Sequence, residues 1–225
     1  MIDSQVMRLR VKRAGDCFVA ATALLGLSPI FAGIAAWIRF AEGRPVIFSQ
    51  ARTGQNGRPF MMFKFRTMVR DAVTVGQLSG LTAEDPFAIV EHDPRITRSG
   101  RYLRRTSLDE LPQLVNVLRG DMSLVGPRPD VPEQSRHYTA EDRRRLLVRP
   151  GITGWAQVNG RDDLPWPERY VLDAWYIDHW SLRLDLKILL LTALQLGREE
   201  PVPPPDVHNI RRRADGSARS NTAEG

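Results

Sequence analysis

The longest apolar stretch of the chain runs from Cys17 to Ile38 and contains no charged side chain. As an α-helix it would extend roughly 33 Å, which is enough to cross the hydrocarbon core of a bilayer. Ser28 and Pro29 interrupt it near the centre, and a proline there removes a backbone donor and predicts a kink or break. Because Ser28 can bond a freed carbonyl, such a break is tolerable in lipid.

Basic residues flank this stretch on both sides. They are Arg8, Arg10, Lys12 and Arg13 before it, and Arg39, Arg44 and Arg52 after it. Since basic flanks favour the cytoplasmic side, two basic ends predict a re-entrant hairpin with both ends on one face. A spanning helix stays open, as does a signal peptide with a cleavage site among the small residues at 32–36. A buried core helix is the weakest alternative, because the stretch is not amphipathic.

Beyond the hairpin, the hydrophobic patterns are shorter. A strand at 45–49, a turn at 50–59 and an alternating strand at 60–68 predict an antiparallel pair. The predicted helices lie around 100–105, at 109–119, at 131–148, and as a pair within 167–197 that is split near 179–181. We therefore predict an α+β fold, with a re-entrant membrane hairpin, a compact and mostly helical cytosolic domain, short antiparallel strands and interfacial amphipathic helices.

Three segments follow from these patterns. Residues 1–44 form the basic N-terminus and hairpin, residues 45–197 the compact domain with the interfacial helices, and residues 198–225 a proline- and arginine-rich tail predicted to be disordered. In the middle segment, residues 69–91 show no firm period and predict a variable loop with some helix. The leucine-rich stretch at 182–196, with nearby tryptophans, suits either a bilayer interface or a packed core.

Composition narrows the class of partner. The net charge of +6 and the pI near 10.1 suit anionic lipid head groups or phosphorylated substrates. Nucleic acid would also fit this charge, but the basic residues are dispersed and no helix-turn-helix, zinc-finger or RNP pattern occurs. The single cysteine, Cys17, excludes an internal disulfide and a cysteine-based metal site.

The segment 104–129 holds the candidate chemistry. Asp109 and Glu110 follow the arginine pair that begins at Arg104, and Arg128 lies between Pro127 and Pro129. Carboxylates among fixed cations favour a nucleophile that attacks phosphate, because the arginines offset the repulsion between the two anions. A purely structural interpretation also fits, with a capping box closed by Glu110 or Asp109 as the N-cap of a helix.

The other candidate cations also have both a functional and a purely structural interpretation. Lys64 and Arg66 alternate with Phe63 and Phe65 on the predicted second strand, where a solvated polar face is the alternative. Arg149 and Arg161 bracket a turn that could direct backbone amides at an anion, or could form an ordinary surface hairpin. The run Arg143-Arg144-Arg145 is more typical of a solvated or lipid-facing surface than of a site.

Taken together, the motifs resemble the bacterial sugar transferases, the monotopic polyprenyl-phosphate phosphoglycosyl transferases, over about residues 8–197. The resemblance rests on Ser28-Pro29 in the basic-flanked hairpin, Lys64-Phe65-Arg66-Thr67-Met68, the run from Asp109 to Pro129, and the run from Arg149 to Arg161. It is closest to the small form of the family, because no further transmembrane helix precedes the hairpin in this sequence.

The resemblance implies a reaction and a site. A sugar 1-phosphate would pass from a UDP-sugar to undecaprenyl phosphate with release of UMP, through a covalent phosphosugar on Asp109, with Mg²⁺ near that aspartate. Glu110 would assist as acid, base or metal partner. The residues implied to contact phosphate are Lys64, Arg66, Arg104, Arg128 and Arg161, and those implied to break the membrane helix are Ser28 and Pro29. The implied location is the bacterial inner membrane, with the catalytic domain facing the cytoplasm and membrane lipids as partners.

Two rival functions stay open from the sequence. A catalytically silent membrane scaffold for glycan assembly would tolerate the loss of both carboxylates. A membrane-attached nucleic-acid binder would bind RNA or DNA with steep salt dependence, but the missing recognition motif speaks against a nucleic-acid partner. No residue pattern identifies the transferred sugar, the glycan pathway or the oligomeric state, and the sequence leaves a homodimer open.

Overall fold

The structure is a computed structural model that describes residues 2–78, 93–160 and 164–195. Helix α1 covers Ile2–Gly26 and helix α2 covers Ser28–Ala41. Between them the axis bends by 62° at Leu27. No single described helix is long and apolar enough to cross a bilayer, but this bent pair meets that criterion together by length and composition.

The bend has the local chemistry that the sequence predicts. Pro29 has no amide hydrogen and cannot bond the carbonyl of Leu25 one turn earlier. The hydroxyl of Ser28 donates to that carbonyl oxygen at 2.8 Å. The bend therefore leaves the freed backbone acceptor satisfied, which is the condition for breaking a helix in lipid.

The strands form two separate pairs. Strand β1, Ile47–Thr53, pairs antiparallel with β2, Pro59–Phe65, in a register that places Phe48 opposite Lys64. This pair confirms the predicted antiparallel strands. The other pair, β3 at Ser123–Val125 and β4 at Gly151–Thr153, is parallel, and the sequence did not predict it because strands of three residues are too short to show an alternating pattern.

Short helices connect these elements. They are α3 Ala72–Leu78, α4 Arg98–Arg105, α5 Gln113–Arg119, α6 Pro132–Ser135 and α7 Trp155–Val158. The C-terminal pair, α8 Trp166–Asp178 and α9 Leu182–Gln195, is divided where the sequence predicted. The mostly helical α+β class is confirmed, whereas the tail at 198–225 lies outside the described residues.

Two helix predictions are wrong in their extent. The predicted helix at 131–148 is α6 followed by a separate 3₁₀ segment, Asp142–Leu147, because the Thr139 amide and hydroxyl bond the Asp142 carboxylate and start a new turn. The predicted helix at 109–119 is a 3₁₀ turn, Leu108–Glu110, followed by α5. Gly120, with a φ of 92°, ends α5 in the left-handed conformation that glycine adopts readily.

The apolar core lies where α1 meets the domain. Its buried members are Ala20, Met62, Leu114, Val117, Met122, Leu124, Val125, Val158, Tyr176 and Ile188. They come from α1, β2, α5, β3, α7, α8 and α9. Helix α1 is therefore part of the folded domain through its C-terminal half as well as through polar contacts nearer its start.

A buried polar junction fixes the start of α1. The Lys12 ammonium donates to an Asp185 carboxylate oxygen at 2.6 Å and to the Val125 carbonyl at 3.1 Å. Asp185 also accepts from the Tyr176 hydroxyl at 2.7 Å, and the Ser123 hydroxyl donates to Asp16 at 2.7 Å. Lys12, predicted as a membrane-flanking cation, instead joins α1 to β3 and α9.

This junction predicts the effect of removing its cation. Lys12→Met leaves the Asp185 carboxylate, whose side chain is 10% exposed, without its counter-charge, so the free energy of unfolding should fall by about 3–5 kcal/mol. Chemical unfolding of detergent-solubilised protein measures it. Arg10→Met, at an exposed position of the same helix, should stay within about 0.5 kcal/mol of wild type, and Lys12→Met with Asp185→Asn should recover part of the loss. Equal stabilities of Lys12→Met and Arg10→Met would contradict the assignment.

Candidate active site

A large cleft of about 1280 Å³ opens beside the β1–β2 pair. The 3₁₀ turn with Asp109 and Glu110 forms one wall, and Arg128 of the Pro-Arg-Pro loop forms another. Among the described residues that line it, cations outnumber carboxylates. The cations are Arg52, Lys64, Arg66, Arg70, Arg95, Arg104, Arg128, Arg145 and Arg169, and the carboxylates are Asp109, Glu110, Asp130 and Asp173.

The Asp-Glu pair does not cap a helix. Ser107 adopts a left-handed φ of 56°, which is uncommon for a residue other than glycine, and neither Ser107 nor Asp109 makes a side-chain capping bond at the following turn. The capping interpretation is therefore wrong. The tight turn instead gives the two adjacent carboxylates different surroundings.

Glu110 is held between two cations. The Lys64 ammonium and the Arg128 guanidinium each donate to its Oε1 at 2.9 Å, and its side chain is 18% exposed. Burial alone would raise the pKa of Glu110, but the charges of Arg128 and Lys64 hold it well below its ordinary value. Glu110 is therefore ionised at any working pH and occupied by its partners.

Asp109 has the opposite environment. The residue is 6% exposed, and none of the described residues donates a hydrogen bond to its carboxylate or pairs with it. Burial raises the pKa of Asp109 above its ordinary value, and the nearby charge of Lys64 partly offsets that effect. A desolvated carboxylate without hydrogen-bond partners, facing a cationic cleft, is a suitable nucleophile.

The other predicted phosphate contacts are distributed along the cleft. Arg104 donates from Nε to the Thr67 hydroxyl at 2.9 Å, and its charge also lowers the pKa of Asp109. Arg66 lines the cleft as well, and its Nη2 donates to the carbonyls of Glu42 and Gly43 at the end of α2.

Four sequence-predicted positions remain, and the structure places three of them outside the cleft. Ser28 and Pro29 lie at the bend of the helix pair and do not line the cleft. Arg149 donates to the Gly120 carbonyl at 2.9 Å and does not line the cleft either. Arg161 lies outside the described residues, so its predicted phosphate contact stays a prediction.

Comparison with known sequences decides the family. The family described as "Bacterial sugar transferase" matches residues 7–199, a range that contains the hairpin, the cleft and both carboxylates. The chain belongs to the bacterial sugar transferases. The resemblance inferred from the motifs is thus confirmed, and with it the class of enzyme.

Three relatives illustrate the range of the family. The uncharacterized sugar transferase EpsL of Bacillus subtilis is 45% identical over 81% of this chain and 85% of its own length. The undecaprenyl-phosphate galactose phosphotransferase of Salmonella typhimurium is 42% identical over 84% of this chain, and the undecaprenyl-phosphate glucose phosphotransferase of Komagataeibacter xylinus is 47% identical over 80%. The match spans 41% and 35% of the length of these last two proteins.

Arg145 is an important residue of this sugar transferase that sequence reasoning assigned wrongly. It lies in the predicted solvated run but is 5% exposed. It donates to Asp130 at 2.6 Å, to Asp173 at 2.9 Å and to the Arg128 carbonyl at 2.8 Å. Burial would lower the pKa of Arg145, but the charges of the two aspartates raise it above its ordinary value. Arg145 therefore fixes the loop that presents Arg128 to Glu110.

Nothing in the spacing of the arginine run distinguishes Arg145 from its neighbours. A weaker indication of a buried cation lies at another position of the sequence. Asp130 directly follows the Pro-Arg-Pro motif, and a carboxylate that is buried there needs a partner. Burial raises the pKa of Asp173, the other partner, to about 6. The second missed residue, Arg52, was predicted as a membrane flank but lines the cleft.

The arginine run supplies its own matched control. Arg145→Met leaves two buried carboxylates without their cation and should lower the free energy of unfolding by about 3–5 kcal/mol. Arg143→Met, two residues earlier at an exposed position, should change it by no more than about 0.5 kcal/mol. Chemical unfolding followed by tryptophan fluorescence distinguishes the two. A similar loss in both variants would show that the run acts only through its total charge.

Proposed function

We propose that this sugar transferase moves a sugar 1-phosphate from a UDP-sugar to undecaprenyl phosphate, with Asp109 as the nucleophile. The proposal rests on the different surroundings of the two carboxylates. Glu110 is held by Lys64 and Arg128, whereas Asp109 is desolvated and faces the cleft without a partner among the described residues. The names of the Salmonella and Komagataeibacter relatives support the lipid phosphate as acceptor.

The reaction divides into two displacements. In the first, an oxygen of Asp109 bonds to the β-phosphorus of the UDP-sugar, the bond from that phosphorus to the bridging oxygen breaks, and UMP leaves with the electron pair. In the second, an oxygen of undecaprenyl phosphate attacks the same phosphorus and releases the Asp109 carboxylate. The product is a polyprenyl diphosphate sugar, on which exopolysaccharide, capsule, O-antigen or glycoprotein glycan assembly would begin.

The cations of the cleft would stabilise these steps. Phosphoryl transfer depends mainly on positioning and on compensation of negative charge. Lys64, Arg104 and Arg128 all lower the pKa of Asp109 through their charges, so they keep the nucleophile ionised while attracting the diphosphate. Because Glu110 stays ionised between Lys64 and Arg128, we assign it the role of orienting these two cations.

Mg²⁺ is part of the proposal. Among the described residues no cluster of three or more His, Cys, Asp or Glu side chains could hold a metal. However, Mg²⁺ often binds through one or two carboxylates together with substrate phosphates, and the unengaged carboxylate of Asp109 fits that arrangement. The ion would supply charge compensation for the diphosphate when bound.

The membrane arrangement is supported by how the bent helix pair is attached. Lys12, which precedes the apolar part of α1, and Glu42, just after α2, both bond to the same domain. Leu25 at the bend is 77% exposed. Two tethered ends with an apolar tip between them suit a re-entrant hairpin whose domain lies on the cytoplasmic side.

A second apolar surface accompanies the hairpin. Exposed leucines recur at every fourth position of α9, at Leu182, Leu186, Leu190 and Leu194, with the exposed cations Arg183 and Lys187 beside them. An apolar stripe bordered by cations is suited to the bilayer interface, and we propose that α9 contacts lipid there.

The nucleophile predicts a covalent intermediate. Asp109→Asn should lower UMP release from a UDP-sugar more than about a thousandfold, because an amide cannot form the phosphosugar ester. Wild type incubated with Mg²⁺ and a panel of UDP-sugars, without acceptor, should gain one sugar phosphate on the peptide that contains Asp109, as seen by mass spectrometry. Glu133→Gln, an exposed carboxylate of α6, serves as control. Full UMP release by Asp109→Asn would point to another nucleophile, whereas no UMP release by wild type with any UDP-sugar would support the catalytically silent scaffold.

The pH dependence of UMP release tests this assignment, because two variants should shift it in opposite directions. Since Asp109 must be ionised, the rate of UMP release should rise with pH through its raised pKa. The charge of Lys64 lowers the pKa of Asp109 and that of Glu110 raises it, so Lys64→Met should shift the acid limb to higher pH and Glu110→Gln should shift it to lower pH. Single-turnover rates between pH 4 and 9 measure both shifts. Shifts in the same direction would exclude Asp109 as the titrating group.

A further inference from the structure

One face of the β1–β2 pair forms a continuous wall of the cleft. Phe48, Gln50 and Arg52 alternate along β1 and all line the cleft, as does Lys64, which lies opposite Phe48. Residues two apart on a strand, and residues directly opposite across a pair, share a face. Arg52 therefore belongs to the same wall as Lys64, although the sequence places it next to the membrane hairpin.

Arg52 is positioned by neutral groups. Its Nη2 donates to the Gln50 side-chain oxygen at 2.9 Å, and its Nη1 donates to the Pro129 carbonyl at 3.3 Å. Its Nε is buried and has no hydrogen-bond partner among the residues that the structure describes. No carboxylate of the described residues lies within ion-pair distance of the guanidinium, so these contacts orient its charge without neutralising it.

A second cation lies next to it. Pro129, which accepts from Arg52, directly follows Arg128, and both arginines line the cleft. Burial, and then the like charge of Arg128, lower the pKa of Arg52 to about 10, which still leaves it protonated at neutral pH. The charge of Arg128 therefore opposes that of Arg52, and a bound anion that contacts both guanidinium groups would offset this repulsion.

We propose that Arg52, together with Arg128, binds the phosphate group of UMP, and that the phosphate of the lipid acceptor takes the same place in the second displacement. This inference rests on the proposed function. Both displacements at the phosphorus are in line, so the leaving oxygen of UMP and the attacking oxygen of the acceptor occupy the same position, opposite Asp109. A cation at that position serves both halves of the reaction.

The inference predicts a paired kinetic effect. Arg52→Met should slow UMP release and transfer from preloaded enzyme to undecaprenyl phosphate by similar factors, on the order of 10- to 100-fold, because each loses a hydrogen bond to a charged group. Arg52→Lys should fall between wild type and Arg52→Met, since lysine keeps the charge without the two-pronged geometry. Arg58→Met is the matched control, because Arg58 is an exposed cation of the same hairpin and does not line the cleft.

A binding measurement separates phosphate recognition from a structural role of Arg52. Calorimetry on the full chain should show weaker binding of UMP to Arg52→Met by a similar factor, while uridine, which lacks the phosphate, should change less than about twofold. Loss of both affinities together would overturn the inference, because it would show a general disturbance of the cleft. So would a slowing of only one half-reaction.

The proposed function and this inference fail differently. Wild type that releases no UMP from any UDP-sugar would overturn the proposed function. Wild-type turnover with Arg52→Met indistinguishable from Arg58→Met would overturn only the inference. Thermal unfolding of each variant verifies that the compared proteins are folded.

Discussion

The arrangement of the cleft depends on one shared carboxylate. Glu110 accepts from Lys64 of β2 and from Arg128 of the Pro-Arg-Pro loop, and thereby joins three segments that are distant in sequence. Burial of a charged carboxylate is costly, and such partners offset that cost. Because the two cations exceed the single anion, the group keeps a net positive charge toward the cleft. Asp109, one residue earlier, lies within that field without being tied by it.

Further buried ion pairs hold the group formed by Glu110, Lys64 and Arg128 in place. Arg145 bonds the carbonyl of Arg128 and two carboxylates, one of them on α8, while Lys12 bonds Asp185 on α9. These bonds are directional, whereas the apolar core around Val117 and Ile188 is not. Breaking either junction lowers the free energy of unfolding, because it leaves a buried charge without a partner. Each junction therefore fixes the relative positions of the segments that it joins. The hairpin and the cleft are thus attached to the same two C-terminal helices.

How far the sequence predicts this molecule depends on whether a feature is local. The break at Ser28, the alternation of β2 and the division between α8 and α9 follow from proline, period and turn residues within a few positions, and all were predicted. The burial of Arg145 and the cleft position of Arg52 were missed, because each depends on partners from other segments. The capping interpretation of Glu110 failed for the same reason. Its partners Lys64 and Arg128 are remote in sequence, and they outweighed the local preference.

The same cations have two effects on the proposed chemistry, and pH separates them. A charge such as that of Lys64 attracts the substrate phosphates, and it also favours the ionised form of Asp109. Near the pKa of Asp109 a missing cation would reduce the rate through both effects. Well above that pKa the carboxylate is ionised in any case, so only the weaker stabilisation of phosphate remains. A cation whose loss matters equally across this range acts mainly on phosphate. This is the behaviour expected of Arg52, since the charges with the largest effects on the pKa of Asp109 are those of Lys64, Glu110, Arg104 and Arg128.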